Sequence, residues 1–437
     1  MHYRRLFVII LNQDGVRTMN RFKMTKQEKN WVLYDVGNSA FTLLITTILP
    51  IYFNYLAGEA GLASELYMAY WGYAASIVTL VVALTGPVLG TIADTKGYKK
   101  PIFLGTLAIG VIGCVGLGVA KDWFVFLVIF IIAKIGYSGS LIFYDSMLAD
   151  VTDDERMDQV SSNGYAWGYI GSCLPFVISL VVVLGADSLG LTMPSAMMIA
   201  FLITSVWWVG MTVPLMKGYE QKYYVEKKEH AIAESFKRLG RTFINIKKEK
   251  KAFLFLLAFF FYIDGVYTII DMATAYGSAL GLDSTGLLLA LLVTQIVAFP
   301  FAILFGRLAK KYAVDKLITV CIGAYFLIAV YAMFLQTQVQ FWILAVCVGI
   351  FQGGIQALSR SYFTKIIPAE QSGEFFGFMD ICGKGAAFMG TTIMSTVTLI
   401  TGKENLGVGA IAILFLVGMI LFRVTVKEVK KDKLNAK

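Results

Sequence analysis

Three aspartates, Asp35, Asp264 and Asp271, fall inside long apolar runs of this 437-residue chain. A carboxylate in hydrocarbon costs at least about 2.5 kcal/mol on insertion scales, so each needs a partner, a water-filled cavity or a proton. Asp264 lies near the middle of its run, where transport sites form, whereas Asp35 is close to one end and Asp271 is two helical turns beyond Asp264 on the same face. Proton exchange at such groups is what a proton-coupled carrier uses. Alternatively, each bonds to polar neighbours such as Asn38, Ser39 and Thr268 and never titrates.

Lys134 stands midway along another apolar run, and a cation at that depth turns toward a bundle interior. It would bind a substrate carboxylate or neutralise a buried aspartate. Asp380 and Lys384, one turn apart, are predicted to form an internal ion pair. Gln352, Gln356 and Arg360 make a polar line down one face, with the glutamines toward cargo and Arg360 gating or anchoring at the end of its run. Tyr34, Asn38, Tyr137 and Tyr262 complete the expected substrate cavity, and helix packing is the competing explanation for such mid-run aromatics.

The elements that must hold these residues follow from composition. Apolar residues make up 57% of the chain and mean hydropathy is +0.70, values that belong to a multi-span membrane protein. Crossing a hydrocarbon core takes roughly 20 helical residues. Twelve runs qualify: 31–56, 68–92, 101–120, 123–145, 161–184, 193–216, 252–276, 286–309, 316–336, 339–360, 375–401 and 405–426. They are apolar on nearly every face, which excludes the alternation of barrel strands.

Cations mark the orientation, because short cytoplasmic loops retain Lys and Arg. Arg17 to Lys29, Lys96 to Lys100, Lys217 to Lys251, Arg307 to Lys316 and Lys427 to Lys437 all fall on one side, so both termini are expected in the cytoplasm of a cell with this protein in its cell membrane. The net charge of +9 is then mainly a topology signal and not the footprint of a nucleic-acid partner. All five cysteines lie in apolar runs without a C-x-x-C pair, and the only histidines, His2 and His230, lie in polar segments. No metal centre, cofactor or enzyme chemistry is expected, and a monomer is. Phe7 to Leu11 is too short for a span and lacks a cleavage signature, so it is not read as a signal peptide. Met1, Met19 and Met24 are alternative starts.

The polar stretch 217–251 separates two sets of six runs. The expected organisation is a basic tail 1–30, a six-helix bundle 31–216, a linker 217–251, a second bundle 252–426 and a basic tail 427–437. Within the linker, Phe236, Leu239, Phe243 and Ile246 recur at helical spacing among Lys and Arg, the pattern of an amphipathic helix on anionic lipids at the cytoplasmic face or packed on the bundle. Tyr34-Asp35-Val36-Gly37 has an echo in Tyr262-Ile263-Asp264-Gly265, as duplicated transporter halves often show.

Between the second and third runs stand Gly90, Ala93, Asp94, Gly97, Lys99 and Lys100. This spacing resembles the loop signature of the major facilitator superfamily. A worn copy follows the eighth run at Gly306, Ala309, Lys310, Asp315 and Lys316. The combination of Trp31 to Phe41, Asn163 to Gly171, Phe261 to Thr268, Gln352 to Ser361 and Glu374 to Gly377 resembles the vacuole effluxer-like branch. The resemblance covers residues 25–426 and implies twelve helices in two pseudo-symmetric bundles, alternating access, and a gating contact from Asp94 to a facing helix N-terminus. For Lys99 and Lys100 it leaves gating beside plain topology. The expected cargo is a small polar organic solute, amino acids or related metabolites first, with proton coupling. Sugar or glycoside symport and lipid translocation are the rival readings.

Overall fold

The computed structural model describes residues 22–62, 64–226, 237 and 249–435. Regular structure among them is helical, apart from one bridge between Thr95 and Val225. The helices are α1 Lys26–Glu59, α2 Ser64–Ala93, α3 Lys99–Leu117, α4 Trp123–Ser146, α5 Asp154–Leu184 and α6 Met193–Gly218. In the second half come α7 Lys250–Ala279, α8 Ser284–Leu308, α9 Val314–Ala332, α10 Gln338–Ile366, α11 Ser372–Thr401 and α12 Glu404–Asp432. Among the described residues, eleven are long and apolar enough to cross a membrane by length and composition, and in α11 the apolar part is Met389–Thr401.

Local chemistry sets several starts. Thr25 and Glu28 form a capping box on α1, Thr337 and Gln340 another on α10, and Asp122 and Asp283 cap α4 and α8 through their carboxylates. Pro50 lacks the N–H that would close its turn, and the preceding Leu44–Ile48 relaxes into a π turn inside α1.

The main differences from the predicted spans lie on the face that carries the Gly90–Lys100 link. α5 begins at Asp154 and not at 161, and α10 runs to Ile366 and not to 360. Both extensions are polar helical turns beyond the apolar run, which a hydrophobicity criterion cuts off. A short helix, Leu148–Val151, joins α4 to α5. The linker positions Phe236, Leu239, Phe243 and Ile246 lie outside the described residues.

The packing repeats with a shift of six helices. α1 packs on α5 and α6, as α7 does on α11 and α12; α3 packs on α4, as α9 does on α10; α2 meets α4, as α8 meets α10. The most extensive crossings between the halves are α2 with α11 and α5 with α8, and each becomes the other when the halves are exchanged; α5 with α10 and α4 with α11 add to them. Side chains confirm the register: Tyr34 of α1 donates to Ser140 of α4 at 2.7 Å, and Tyr262 of α7 lies 2.7 Å from Ser359 of α10. Gly37 admits the α6 backbone at Trp208, and Gly265 admits Phe415 of α12. Large apolar side chains such as Leu84, Ile112, Val206, Leu327 and Leu399 cover the outside of the protein, as lipid contact requires.

Candidate functional site

The two halves are tied together on the link face. Asp94, at the end of α2, accepts from Gly373 N at 2.7 Å and Glu374 N at 3.0 Å, two first-turn amides of α11 with no intrahelical partner. Its carboxylate is buried and also faces the positive end of the helix dipole. The chains approach closely here because a Cβ on Gly90 would collide with the Gly373 carbonyl, and one on Gly377 with Pro87. Gly97 turns the link at φ +79°. Lys99 has a fully buried side chain, donates to Ser372 Oγ of α11 at 2.9 Å, and lies 3.4 Å from Asp150 and 4.0 Å from Asp94. Its ammonium therefore lies between the halves and not in solvent. Lys100 is half-buried.

A second tie lies deeper. Arg360 of α10 reaches across to α1, α4 and α5: Nη1 is 2.8 Å from Asp145, Nη2 is 3.4 Å from Asp35, and Nε donates to Ser161 Oγ at 3.0 Å. Its guanidinium also lies over Trp31 at 4.6 Å and Tyr165 at 4.3 Å. A side chain on Gly164 would stand 2.7 Å from Asp35 Oδ2 and 2.9 Å from Arg360 Nη2, so the pair needs glycine there. Asn38 Nδ2 is 3.5 Å from Asp35 Oδ1. Nearby, Tyr169 of α5 donates to Gln356 at 3.2 Å and Lys365 of α10 meets Asp158 of α5 at 2.7 Å.

The remaining expected residues separate into groups. Tyr34 and Tyr262 are fully buried within their own bundles, so their role as cavity walls gives way to packing. Asp264 is fully buried between α7 and α11, and its Oδ1 accepts from Gly390 N at 2.9 Å and Thr268 at 3.3 Å. Its Oδ2 has no hydrogen-bond partner among the described residues. Gln352 is buried. Asp271 is exposed, Lys134 is half-buried over the Phe130 ring at 5.6 Å, and the two interact electrostatically between α7 and α4. Tyr137 is half-buried, with its hydroxyl 2.6 Å from Thr42. Asp380 is half-buried, while the side chain of Lys384 lies outside the described residues.

Sequence reasoning missed Asp145, Asp150, Asp158 and Lys365. All four stand at the margins of apolar runs, where a charge reads as the start of a loop. The spacing Asp145-x4-Asp150 at the end of α4 was the available signal, since two acids there have no matching basic neighbours.

The family described as Vacuole effluxer Atg22 like matches residues 24–436. The chain is 43% identical to an uncharacterized MFS-type transporter, YxiO, of Bacillus subtilis (strain 168), over 95% of this chain and 97% of that protein. It is 26% identical to Autophagy-related protein 22-1 of Aspergillus niger over 63% of this chain, and spans about half of that longer protein, 48%. Among solved structures, the transporter FucP in its outward conformation superposes with a TM-score of 0.69 at 13% identity, covering 92% of this chain and 97% of FucP. The human organic anion transporter MFSD10 gives 0.68 at 13% identity, over 92% of this chain and all of that one, 100%. At such identities the likeness is one of fold.

Proposed function

This chain belongs to the vacuole effluxer Atg22-like family of major facilitator transporters, and on that premise we propose a proton-coupled carrier of amino acids or closely related metabolites. It is a transporter and not an enzyme. The observation that carries the reading of cargo is the pair Lys134 and Asp271, opposite charges in electrostatic reach of each other on the first and second halves. An α-amino acid is a zwitterion, and a cation and an anion from opposite halves match its two ends, while Tyr137 and Thr42 offer neutral hydrogen bonds from the first half. A sugar offers no charge to either member of the pair.

The reading of coupling rests on Asp35, Asp145 and Arg360. Two carboxylates and one guanidinium leave one excess negative charge when all are ionised, and a proton removes it. Opening the link face pulls Arg360 away from both acids, so a proton on one of them lowers the cost of separating the halves. Asp264 is the second acid proposed for proton exchange. Asp94 and Lys99 then latch the link face, read as cytoplasmic from its cations, while the cavity opens on the opposite side.

Thermal-shift screening of the purified protein against amino acids and sugars tests the cargo. A ligand at one hundred times its Kd stabilises by about 2.7 kcal/mol. We expect amino acids to raise the Tm, with Lys134→Gln abolishing the shift. A sugar that raises it while no amino acid does would overturn the proposal in favour of glycoside symport, and fluorescent-lipid movement in liposomes would favour translocation of lipid.

A further inference from the structure

The chain that leaves α6 does not go straight into the linker. Tyr219 to Glu226 lie as a strap along the Gly90–Lys100 link and the short helix Leu148–Val151. Tyr219 donates its hydroxyl to Asp150 Oδ2 at 2.6 Å, and the backbone amides of Lys222 and Tyr223 donate to Oδ1 at 3.0 and 2.9 Å. Gln221 bonds the link at both ends of its amide: Nε2 donates to Ala93 O at 3.2 Å, and Oε1 accepts from Gly97 N at 3.0 Å. Val225 N donates to Asp94 O at 2.8 Å, and Lys96 N to Val225 O at 3.0 Å, which makes the bridge between Thr95 and Val225. Lys96 closes the strap from outside, 3.4 Å from Glu226 and over the Tyr224 ring at 4.6 Å.

We infer that this strap is a working part of the gate, in which Tyr219, Gln221 and Asp150 are positioning residues for the Asp94 and Lys99 latch. The argument is electrostatic. Asp94 and Asp150 are both buried, and Lys99 is the cation between them, also bonded to Ser372 across the interface. Three strap donors satisfy Asp150, so it draws less on Lys99, which stays within reach of α11. Burial, with the Asp150 carboxylate beside it, holds the Tyr219 hydroxyl well above the ordinary tyrosine pKa, so it remains a neutral donor. Removing those donors leaves a buried carboxylate short of partners, and Lys99 is the group that can move toward it. Gln221 meanwhile fixes the backbone that carries Asp94. The first residues of the segment connecting the halves thus set the strength of the contact that holds the halves together.

This inference rests on reading Asp94 as a latch, and the experiment separates the two. Gly373 and Glu374 lack intrahelical acceptors for their amides, so hydrogen–deuterium exchange at these two positions reports the latch directly. In protein held in lipid nanodiscs, Asp94→Asn is expected to speed their exchange. Tyr219→Phe combined with Gln221→Ala is expected to speed it by about tenfold, the scale of one lost hydrogen bond to a charged group, with α9 peptides unchanged. Gln221→Ala alone keeps the test open if the double variant does not fold, with a smaller acceleration at the same two amides. Wild-type exchange in the strap variants beside fast exchange in Asp94→Asn overturns the strap's role. Wild-type exchange in Asp94→Asn overturns the latch itself.

Discussion

Arg360 Nη1 stands 2.8 Å from Asp145 Oδ1, which joins the tenth helix to the fourth through an ion pair of a buried guanidinium and a half-buried carboxylate. The same guanidinium holds Asp35 of the first helix at 3.4 Å, so one side chain of the second half binds two acids of the first. Removing the arginine leaves the buried Asp35 carboxylate without its counter-charge. Arg360→Ala is therefore expected to destabilise the protein by about 3–5 kcal/mol, read as a large fall in Tm. Arg360→Lys keeps the charge but loses the planar fork, and should retain most of the stability while transport falls at least tenfold.

Asp145→Asn tests the coupling more gently. It keeps a hydrogen-bonding partner for Arg360 and removes the excess negative charge. If the cluster exchanges the proton, uptake driven by a pH gradient falls at least tenfold while counterflow of cargo without a gradient persists. Equal losses in both assays would place Asp145 in the structure and not in the coupling.

Asp264 offers a contrasting case, because Asn can replace Oδ1 as acceptor from Gly390 and Thr268. Asp264→Asn is expected to leave Tm unchanged or raised and to remove the pH dependence of transport. Coupled uptake that keeps its full pH dependence in this variant sinks the assignment.

Gly90 and Gly373 bring the backbones of the two halves together with no room for a Cβ on Gly90. In Gly90→Val the added methyl groups meet the Gly373 carbonyl, and overpacking of this kind costs about 1–3 kcal/mol. The cost applies only when the link face is closed, so the variant should populate the opposite state. Faster amide exchange at Gly373 and Glu374 with unchanged exchange in α9 would show it.

Much of the architecture was legible because the membrane simplifies the problem. With no water to satisfy the backbone, a span that is apolar on every face must be a helix, and apolar length alone located the twelve helices to within a few residues at most ends. Polar extensions escaped that criterion, which is why Asp158 and Lys365 were missed although both lie on regular helix. The repeat was also legible, from Tyr34 to Gly37 and Tyr262 to Gly265. Its acids, however, occupy different places in the motif: Asp35 follows its tyrosine directly, whereas Asp264 comes one residue later. A shift of one residue turns a helical side chain by about 100°. Hence Asp35 points between the halves and Asp264 into its own bundle.

The sequence by itself determined the class of fold and the duplication, and its motif between the second and third helices pointed to the contact that Asp94 makes with α11, because each follows from hydrophobic length, periodicity or a contiguous motif. Only the tertiary structure decided which charges meet. Arg360 and Asp35 are separated by most of the chain, as are Asp94 and Gly373, and Asp150 finds its donors in the strap after α6. A charge at the edge of an apolar run carries no record of its partner. That partner is fixed by how helices cross, through glycine contacts such as Gly90 with Gly373 that bring the backbones together.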